Sequence, residues 1–226
     1  LTDHRFRALV LDITYPVAQG KQGMEAAIET LCTKAEKAVQ GGHNVLILSD
    51  RSVSRESLAI PALLATGAVH HHLVRSGLRT STGLVVDTGS AREVHHFAAL
   101  AGFGAEAICP WLAFETISGF GLPDANKAHE KFVKAINKGL YKVMSKMGIC
   151  TYQSYCGAQI FEAVGLNSAF IDKYFVGTAS KIEGIGLDIV AEEALRMHQS
   201  AFGDDPVLAG ALDAGGEYAF RVRGEE

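Results

Sequence analysis

The sequence of 226 residues predicts an α/β fold in which parallel strands alternate with helices. Residues 8–15 and 44–49 are apolar, β-branched runs with the length of strands. Between them, residues 23–40 repeat apolar side chains at helical spacing and stop at a Gly-Gly pair. A strand, a helix and a second parallel strand form a right-handed crossover. We therefore expect a parallel sheet, either as a segment of a barrel or as an open layer.

The same alternation continues to residue 118. Helices are predicted at residues 61–76, 91–101 and 113–117, and strands at residues 84–87 and 105–109. Residues 119–126, GFGLPDAN, then interrupt the periodicity with two glycines, a proline and a turn-forming aspartate. They are expected to link a first domain, residues 1–118, to a second, residues 127–226.

The second half of the chain contains a helix-like segment at residues 127–141, with Phe132, Val133, Ile136 and Leu140 as its buried side chains. The segments that follow are predicted as a strand at residues 142–149, helices at residues 153–164, 167–175 and 187–202, and a loop from residue 204. This order continues the α/β pattern.

Composition and charge restrict the class of protein. Hydrophobic residues make up 48% of the chain, which is enough for a sizeable core. A net charge of −4 without a long basic run argues against nucleic acid as the main partner. No apolar run approaches the length of a membrane span, and the first residues are too polar for a signal peptide.

Four scattered cysteines do not resemble the disulfide framework of a secreted domain, so a cytoplasmic location is expected. The chain begins at Leu1 rather than at a methionine, and it stops directly after a strand-like stretch. We therefore expect a piece of a longer polypeptide.

The loop after the predicted strand at residues 142–149 is the candidate binding site, because ligands in parallel α/β folds lie at the carboxyl ends of strands. Gly148 and Gly157 would let a planar or phosphorylated ligand approach the backbone. Side chains that would contact it are Ser145, Lys146, Thr151, Ser154 and Gln159. The alternative is that Ser and Thr cap the next helix and that Gly148 only bends the strand.

Other polar groups are weaker candidates. The triple histidine at residues 70–72 is not predicted to bind a metal, because neighbouring helical side chains point about 100° apart. Cys32 lies on an apolar helix face and is expected in the core, whereas Cys156 could reach a ligand. Ser49, Asp50 and Arg51 lie at the end of a predicted strand, where they either bind a ligand or form an ion pair that positions the next loop. The ion pair is the expected outcome.

Several long motifs resemble the glutamate synthase family. DHRFRALVLDITYPV, GGHNVLILSDR, IPALLATGAVHHHLVRSGLR and TGLVVDTGSAREVHHFAALAGFGAEAICPWLAFETI are similar to the latter part of its central domain. KGLYKVMSKMGICTYQSYCGAQIFEAVGL and GGEYAFRVRGEE are similar to the opening of its FMN-binding synthase domain. The motifs stand in the family's order along essentially the whole chain.

The resemblance implies that residues 1–118 end a barrel-like central domain and that residues 127–226 begin an FMN-binding (β/α)8 barrel. The family makes glutamate from glutamine and 2-oxoglutarate, with FMN and a 3Fe-4S cluster. Its electrons come from NADPH through a smaller subunit, from NADH or from ferredoxin. The residues that the resemblance places beside FMN are Met144, Ser145, Lys146, Met147, Gly148, Thr151 and Gln159.

The chain also departs from the family pattern. It lacks the closely spaced cysteine trio that would bind the cluster, and it lacks the amino-terminal amidotransferase cysteine. Cys150 stands where the family usually has serine, which weakens hydrogen bonding to a flavin from that side chain. We expect no catalytic residue in this chain and no turnover by the chain alone. The alternative is a non-catalytic α/β scaffold or binding domain.

Overall fold

A computed structural model describes residues 5–203 of the chain. The strands of this part, in chain order, are β1 (Ala8–Asp12), β2 (Thr14–Pro16), β3 (Val45–Ser49), β4 (Ser57–Ala59), β5 (Gly83–Asp87), β6 (Ala107–Cys109), β7 (Glu162–Ala163) and β8 (Ala179–Ser180). The helices are α1 (Gly20–Gln40), α2 (Ala62–Arg75), α3 (Val94–Gly102), α4 (Trp111–Gly119), α5 (Ala125–Met147), α6 (Tyr152–Tyr155), α7 (Ser168–Tyr174) and α8 (Leu187–Phe202). The loop predicted from residue 204 lies outside the described residues.

The predicted parallel sheet is confirmed. Its four strands stand in the order β1-β3-β5-β6, and every neighbouring pair is parallel. Because the spatial order follows the chain order, right-handed crossovers place α1, α2 and α3 on the same face. Two small pairs were not predicted, an antiparallel β2–β4 pair and a parallel β7–β8 pair.

The two faces of the sheet differ in burial. Leu11, Leu48 and Val86 lie side by side on neighbouring strands, and each is at most 5% exposed. The adjacent row, Val10, Ile47 and Val85, points to the opposite face. There Val10 is 60% exposed. One face of the sheet is therefore packed against helices, and the other carries an apolar row that is partly open to solvent.

The largest hydrophobic cluster joins the two ends of the described chain. Met24 and Ile28 of α1 pack with Phe170 of α7 and Ala191 of α8. Lys173 also forms an ion pair of 2.6 Å with Glu25 on the surface of this contact. The helices predicted at residues 167–175 and 187–202 are thus confirmed, and both pack onto the amino-terminal half of the chain.

A second cluster unites elements on both sides of residues 119–126. Val86 of β5 and Phe97 of α3 pack with Ile136 of α5. Residues 120–124 themselves are exposed and separate α4 from α5. The division of the chain into two domains at this segment stays a prediction.

The strand predicted at residues 142–149 is wrong, because α5 continues through this segment to Met147. Ile136, Leu140 and Met144 follow one another at a spacing of four residues, which keeps one face of the helix against the core. Asp124 accepts a hydrogen bond of 2.9 Å from the Lys127 amide at the start of the helix. Gly148 ends it with a φ of 72°.

The helix predicted at residues 153–164 is also wrong, since α6 ends at Tyr155. Gly157 and Gln159 both have positive φ angles, 77° and 52°, which a continuing helix does not allow. The segment then enters β7, which like β8 has only two residues. Of the βα units expected after residue 127, the described residues form only a short one, in which α7 connects the parallel two-residue strands β7 and β8.

Candidate functional site

A buried polar network lies at the carboxyl ends of β3 and β5. Asp50, which is 6% exposed, directly follows β3. Its carboxylate accepts hydrogen bonds from the Thr88 hydroxyl at 2.5 Å, the Gly89 amide at 3.0 Å and the Trp111 indole at 2.6 Å. One side chain thus connects the loops after two neighbouring strands to the first residue of α4.

An ion pair lies beside Asp50. Nε of Arg51 is 2.7 Å from Asp87, and the Ser49 hydroxyl donates to the same carboxylate at 2.9 Å. The Asp87 hydrogen bond raises the pKa of Arg51, so the guanidinium stays charged. It also lies 5.3 Å from the centre of the Trp111 ring. Arg51 therefore forms an ion pair at this position, but its partner is Asp87 of β5 rather than Asp50, and the pair connects the ends of the two strands.

Several histidine and cysteine side chains outside this network are held by structural contacts. Nδ1 of His70 accepts from Nε of Arg79 at 3.1 Å, and Nε2 of His72 lies 2.7 Å from Glu36. Cys32 is buried in the core, as predicted. Within residues 5–203, no three His, Cys, Asp or Glu side chains are arranged to hold a metal ion.

The predicted FMN-contact residues lie at the end of a helix rather than at the end of a strand. Met144 is 5% exposed and packs with Ala101 and Tyr155. Ser145, Lys146 and Met147 are exposed on the last turn of α5. The carboxyl end of a helix is its negative end, which disfavours a phosphate, and only Lys146 offsets this charge within that turn.

Thr151 and Gln159, the remaining predicted residues, lie in two different loops after α5. Thr151 occupies the N-cap position of α6, but its hydroxyl donates to the Ser154 hydroxyl at 2.8 Å. The Gln159 amide packs against Gly177, near the start of β8. The seven residues therefore occupy three settings, the buried face of α5, its exposed last turn and the two loops that follow.

The segment after α5 is anchored by two tyrosines of α6 to α3 and to the turn that precedes β6. The Tyr152 hydroxyl donates to the Ala105 carbonyl at 2.8 Å, and the Tyr155 hydroxyl donates to the Ala98 carbonyl at 3.0 Å. Burial is the main reason that the pKa of Tyr155 is raised to about 12. The Cys156 thiol also contacts the Ala105 carbonyl at 3.5 Å, and burial raises its pKa. These groups are protonated donors at neutral pH, and they fix α6 and Cys156 to α3 and to the turn before β6.

A groove of about 480 Å³ lies between α5, α4 and the loop that follows α5. Sequence reasoning missed it, although the apolar spacing of α5 was visible. Its lining is mainly aromatic and aliphatic: Phe97, Ile108, Pro110, Phe114, Phe132, Val133, Ile136, Asn137, Leu140, Tyr141, Met144, Cys150 and Tyr152. None of these side chains is cationic, so the groove offers no positively charged partner for a flavin phosphate. The residues described here do not form a complete FMN site by themselves.

The parallel sheet, with strands in chain order and a polar network at their carboxyl ends, defines an α/β domain built from βα units. Residues 1–167 match the family model described as the glutamate synthase central domain. The chain belongs to this family. The match continues past residues 119–126 and includes α5 and α6. No helix between residues 5 and 203 is long and apolar enough to cross a membrane.

Relatives with three different electron donors in their names resemble the chain. It is 48% identical over 209 residues to the glutamate synthase [NADPH] large chain of Bacillus subtilis, covering 90% of this chain and 14% of that protein. It is 42% identical over 224 residues to glutamate synthase [NADH] of Schizosaccharomyces pombe, and the match covers 96% of this chain and 11% of that protein. It is 41% identical over 223 residues to the chloroplastic ferredoxin-dependent glutamate synthase of Oryza sativa subsp. japonica, and the match covers 91% of this chain and 14% of that protein. The chain thus spans about one seventh of these relatives or less.

Proposed function

We propose that this chain is part of a glutamate synthase, an oxidoreductase that makes glutamate from glutamine and 2-oxoglutarate. The match of residues 1–167 to the central-domain family is the observation that carries the proposal. The longer protein would transfer the glutamine amide nitrogen to 2-oxoglutarate and reduce the resulting 2-iminoglutarate. It would use FMN and a 3Fe-4S cluster in the cytoplasm. Electrons would come from NADPH through a smaller subunit, or from ferredoxin.

Within that enzyme, the chain would act as a scaffold. The Asp50 and Arg51 contacts support this role, because they tie loops together with donors and acceptors that bind one another. The proposal includes a barrel-like form for the central domain. This is supported by the parallel strands of the sheet, which stand in the same order as in the chain, with their helices on one face. Consecutive units of a (β/α) barrel have the same arrangement.

The experiment compares the chain alone with the longer protein that carries it. Each is incubated with glutamine, 2-oxoglutarate and either NADPH with the smaller subunit or reduced ferredoxin, and glutamate is measured. We expect formation only by the longer protein. Glutamate formation by residues 1–226 alone would contradict the scaffold role, and a folded, FMN-loaded longer protein without activity would contradict the enzyme assignment.

The exposed end of α5 is proposed as one wall of the FMN site, with the other walls outside this chain. In this proposal Ser145, Lys146, Met147, Gly148, Thr151 and Gln159 face the cofactor, and buried Met144 holds the helix end in place. Lys146→Ala in the longer protein is expected to lower its FMN content. Lys34→Ala, which removes an exposed lysine from α1, serves as the matched control. Equal flavin absorbance in both variants would contradict the assignment.

A non-catalytic binding domain is the second candidate, and the apolar groove beside α5 is the observation that favours it. If the longer protein forms glutamate, the binding-domain candidate no longer applies to the whole protein and describes only the behaviour of residues 1–226 by themselves.

The proposed start of the synthase domain after residues 119–126 is tested by limited proteolysis. Cleavage in this exposed segment should release two folded pieces if the boundary lies there. Unfolding of both pieces after cleavage would place residues 127–203 in the same domain as the sheet.

A further inference from the structure

Six lysines form a continuous stripe along α5. They are separated by three or four residues, so that all of them lie within an arc of about 120° over a length of about 28 Å. The stripe consists of Lys127, Lys131, Lys134, Lys138, Lys142 and Lys146, each of which is exposed. The stripe was missed in the sequence because its members are never adjacent and come together only on one side of the helix.

The stripe is a local excess of positive charge. The helix contains one acidic residue, Glu130, and the whole chain has a net charge of −4. Three lysines elsewhere in the described chain are paired: Lys173 with Glu25, Lys21 with Glu192 and Lys181 with Glu162. Between residues 5 and 203, no ion pair involves a member of the stripe. Concentrated like charges without counterions raise the electrostatic energy of the free surface, and an anionic partner would lower it.

An apolar surface adjoins the stripe. The groove of about 480 Å³ described above runs along the neighbouring side of α5, where Val133 and Tyr141 form its border. Val133 is 41% exposed and Tyr141 is 66% exposed. The same helix therefore presents a row of cations beside a groove that is lined by aromatic rings.

We propose that this combined surface binds a helical protein segment that is acidic along one side and apolar along the adjacent edge. Carboxylates on such a segment would pair with the five lysines from Lys127 to Lys142, which leaves Lys146 to the proposed FMN wall, and the apolar edge of the segment would enter the groove. These five lysines extend over about 22 Å, which matches about four helical turns. A nucleic acid would satisfy the lysines but would leave the groove open, and the net negative charge of the chain would oppose it. The inference does not depend on the proposed enzyme activity.

The test uses the full chain and a synthetic helical peptide of about 20 residues, with Glu on one side and Leu along the adjacent edge. The stripe variant combines Lys134→Glu, Lys138→Glu and Lys142→Glu. Its matched control makes the same change in charge at exposed positions elsewhere, with Lys34→Glu, Lys37→Glu and Arg92→Glu. A second peptide replaces Leu with Ser. Circular dichroism establishes that both protein variants are folded.

We expect the stripe variant to bind the first peptide at least about tenfold more weakly than the control variant does. We also expect added salt to weaken binding and the Ser peptide to bind less tightly than the Leu peptide. Equal binding to both protein variants, or no binding to the unmodified chain, would overturn the proposal. Tighter lysine-dependent binding to a DNA duplex or to phosphatidylserine vesicles would also overturn it, in favour of a nucleic acid or a membrane surface.

Discussion

Asp50 is a buried carboxylate whose three strong hydrogen bonds reach three separate positions of the chain. Its partners are Thr88, Gly89 and Trp111, at distances between 2.5 and 3.0 Å. Because the negative charge strengthens each of these bonds, a neutral replacement is costly even when it has the same shape. The residue therefore controls how the loops at the carboxyl edge of the sheet are arranged.

The substitution Asp50→Asn should lower the free energy of unfolding by about 2–3 kcal/mol, because an amide NH2 cannot accept the bonds that a carboxylate oxygen accepts. Urea unfolding followed by circular dichroism measures the change. Asp172→Asn is the control, because Asp172 is exposed on α7. The same loss in both variants would show that the network does not hold the edge of the sheet.

His70 makes the stability of the fold depend on pH. Burial, together with Arg79 and His71, lowers its pKa from 6.5 to about 4. As the pH falls from 6.5 towards 4, the unfolded chain gains a proton that the folded chain does not, so the free energy of unfolding decreases. We expect His70→Gln to reduce the loss of stability between pH 7 and pH 4.5, with urea unfolding as the measurement. The control His95→Gln, at an exposed position on α3, should lose as much stability between pH 7 and pH 4.5 as the unmodified chain does.

At the scale of elements, the contact between α3 and α5 depends on the absence of a side chain. A Cβ on Gly139 would lie 2.3 Å from Cγ2 of Val94. Gly139→Ala should therefore destabilise the protein by about 1–2 kcal/mol, although alanine favours helix formation by about 1 kcal/mol. Thermal unfolding measures the effect. Gly119→Ala, with open space around it, should be neutral or slightly stabilising, and a similar loss in both variants would contradict the close contact.

The elements that the sequence predicts correctly are those whose periodicity and boundaries agree. Residues 44–49 and 187–202 have continuous or amphipathic apolar patterns, and their strand and helix form as expected. Residues 142–149 contain a short apolar pattern that fits a strand as well as a helix. The choice is decided by packing, because Met144 continues the face of α5 that contacts the core. The short pairs β2–β4 and β7–β8 are set by tertiary contacts and have no local signal.

The candidate site was predicted only in part. Ser49, Asp50 and Arg51 could be recognised at the end of a strand, but their partners Asp87, Thr88 and Trp111 are 36 to 61 residues away in the chain. Such pairings depend on the strand order, which a single sequence does not fix. The groove along α5 likewise requires that α4 and the loop after α5 lie against it.

At the scale of the whole molecule, the partly open face of the sheet is the surface through which we expect self-association. Parallel sheets are normally covered on both faces, and the exposed Val10 adjoins Ile47 and Val85 on this face. We expect the chain alone to associate as its concentration rises. Val10→Lys should reduce this association in sedimentation experiments, while Val176→Lys, at another exposed position, should not. An equal reduction by both would indicate a different contact surface.

The strand order also determines how the molecule can assemble as it is synthesised. Each strand of the main sheet pairs with the preceding one through a single helical crossover, so the sheet can grow from β1 towards β6 as the ribosome releases it. The pairing of α8 with α1 closes the largest loop, since Lys21 meets Glu192 only after 171 further residues have been made. Until then the apolar face of α1 that receives α8 has no cover. A nascent chain that pauses before residue 187 would therefore be the species that most needs a chaperone.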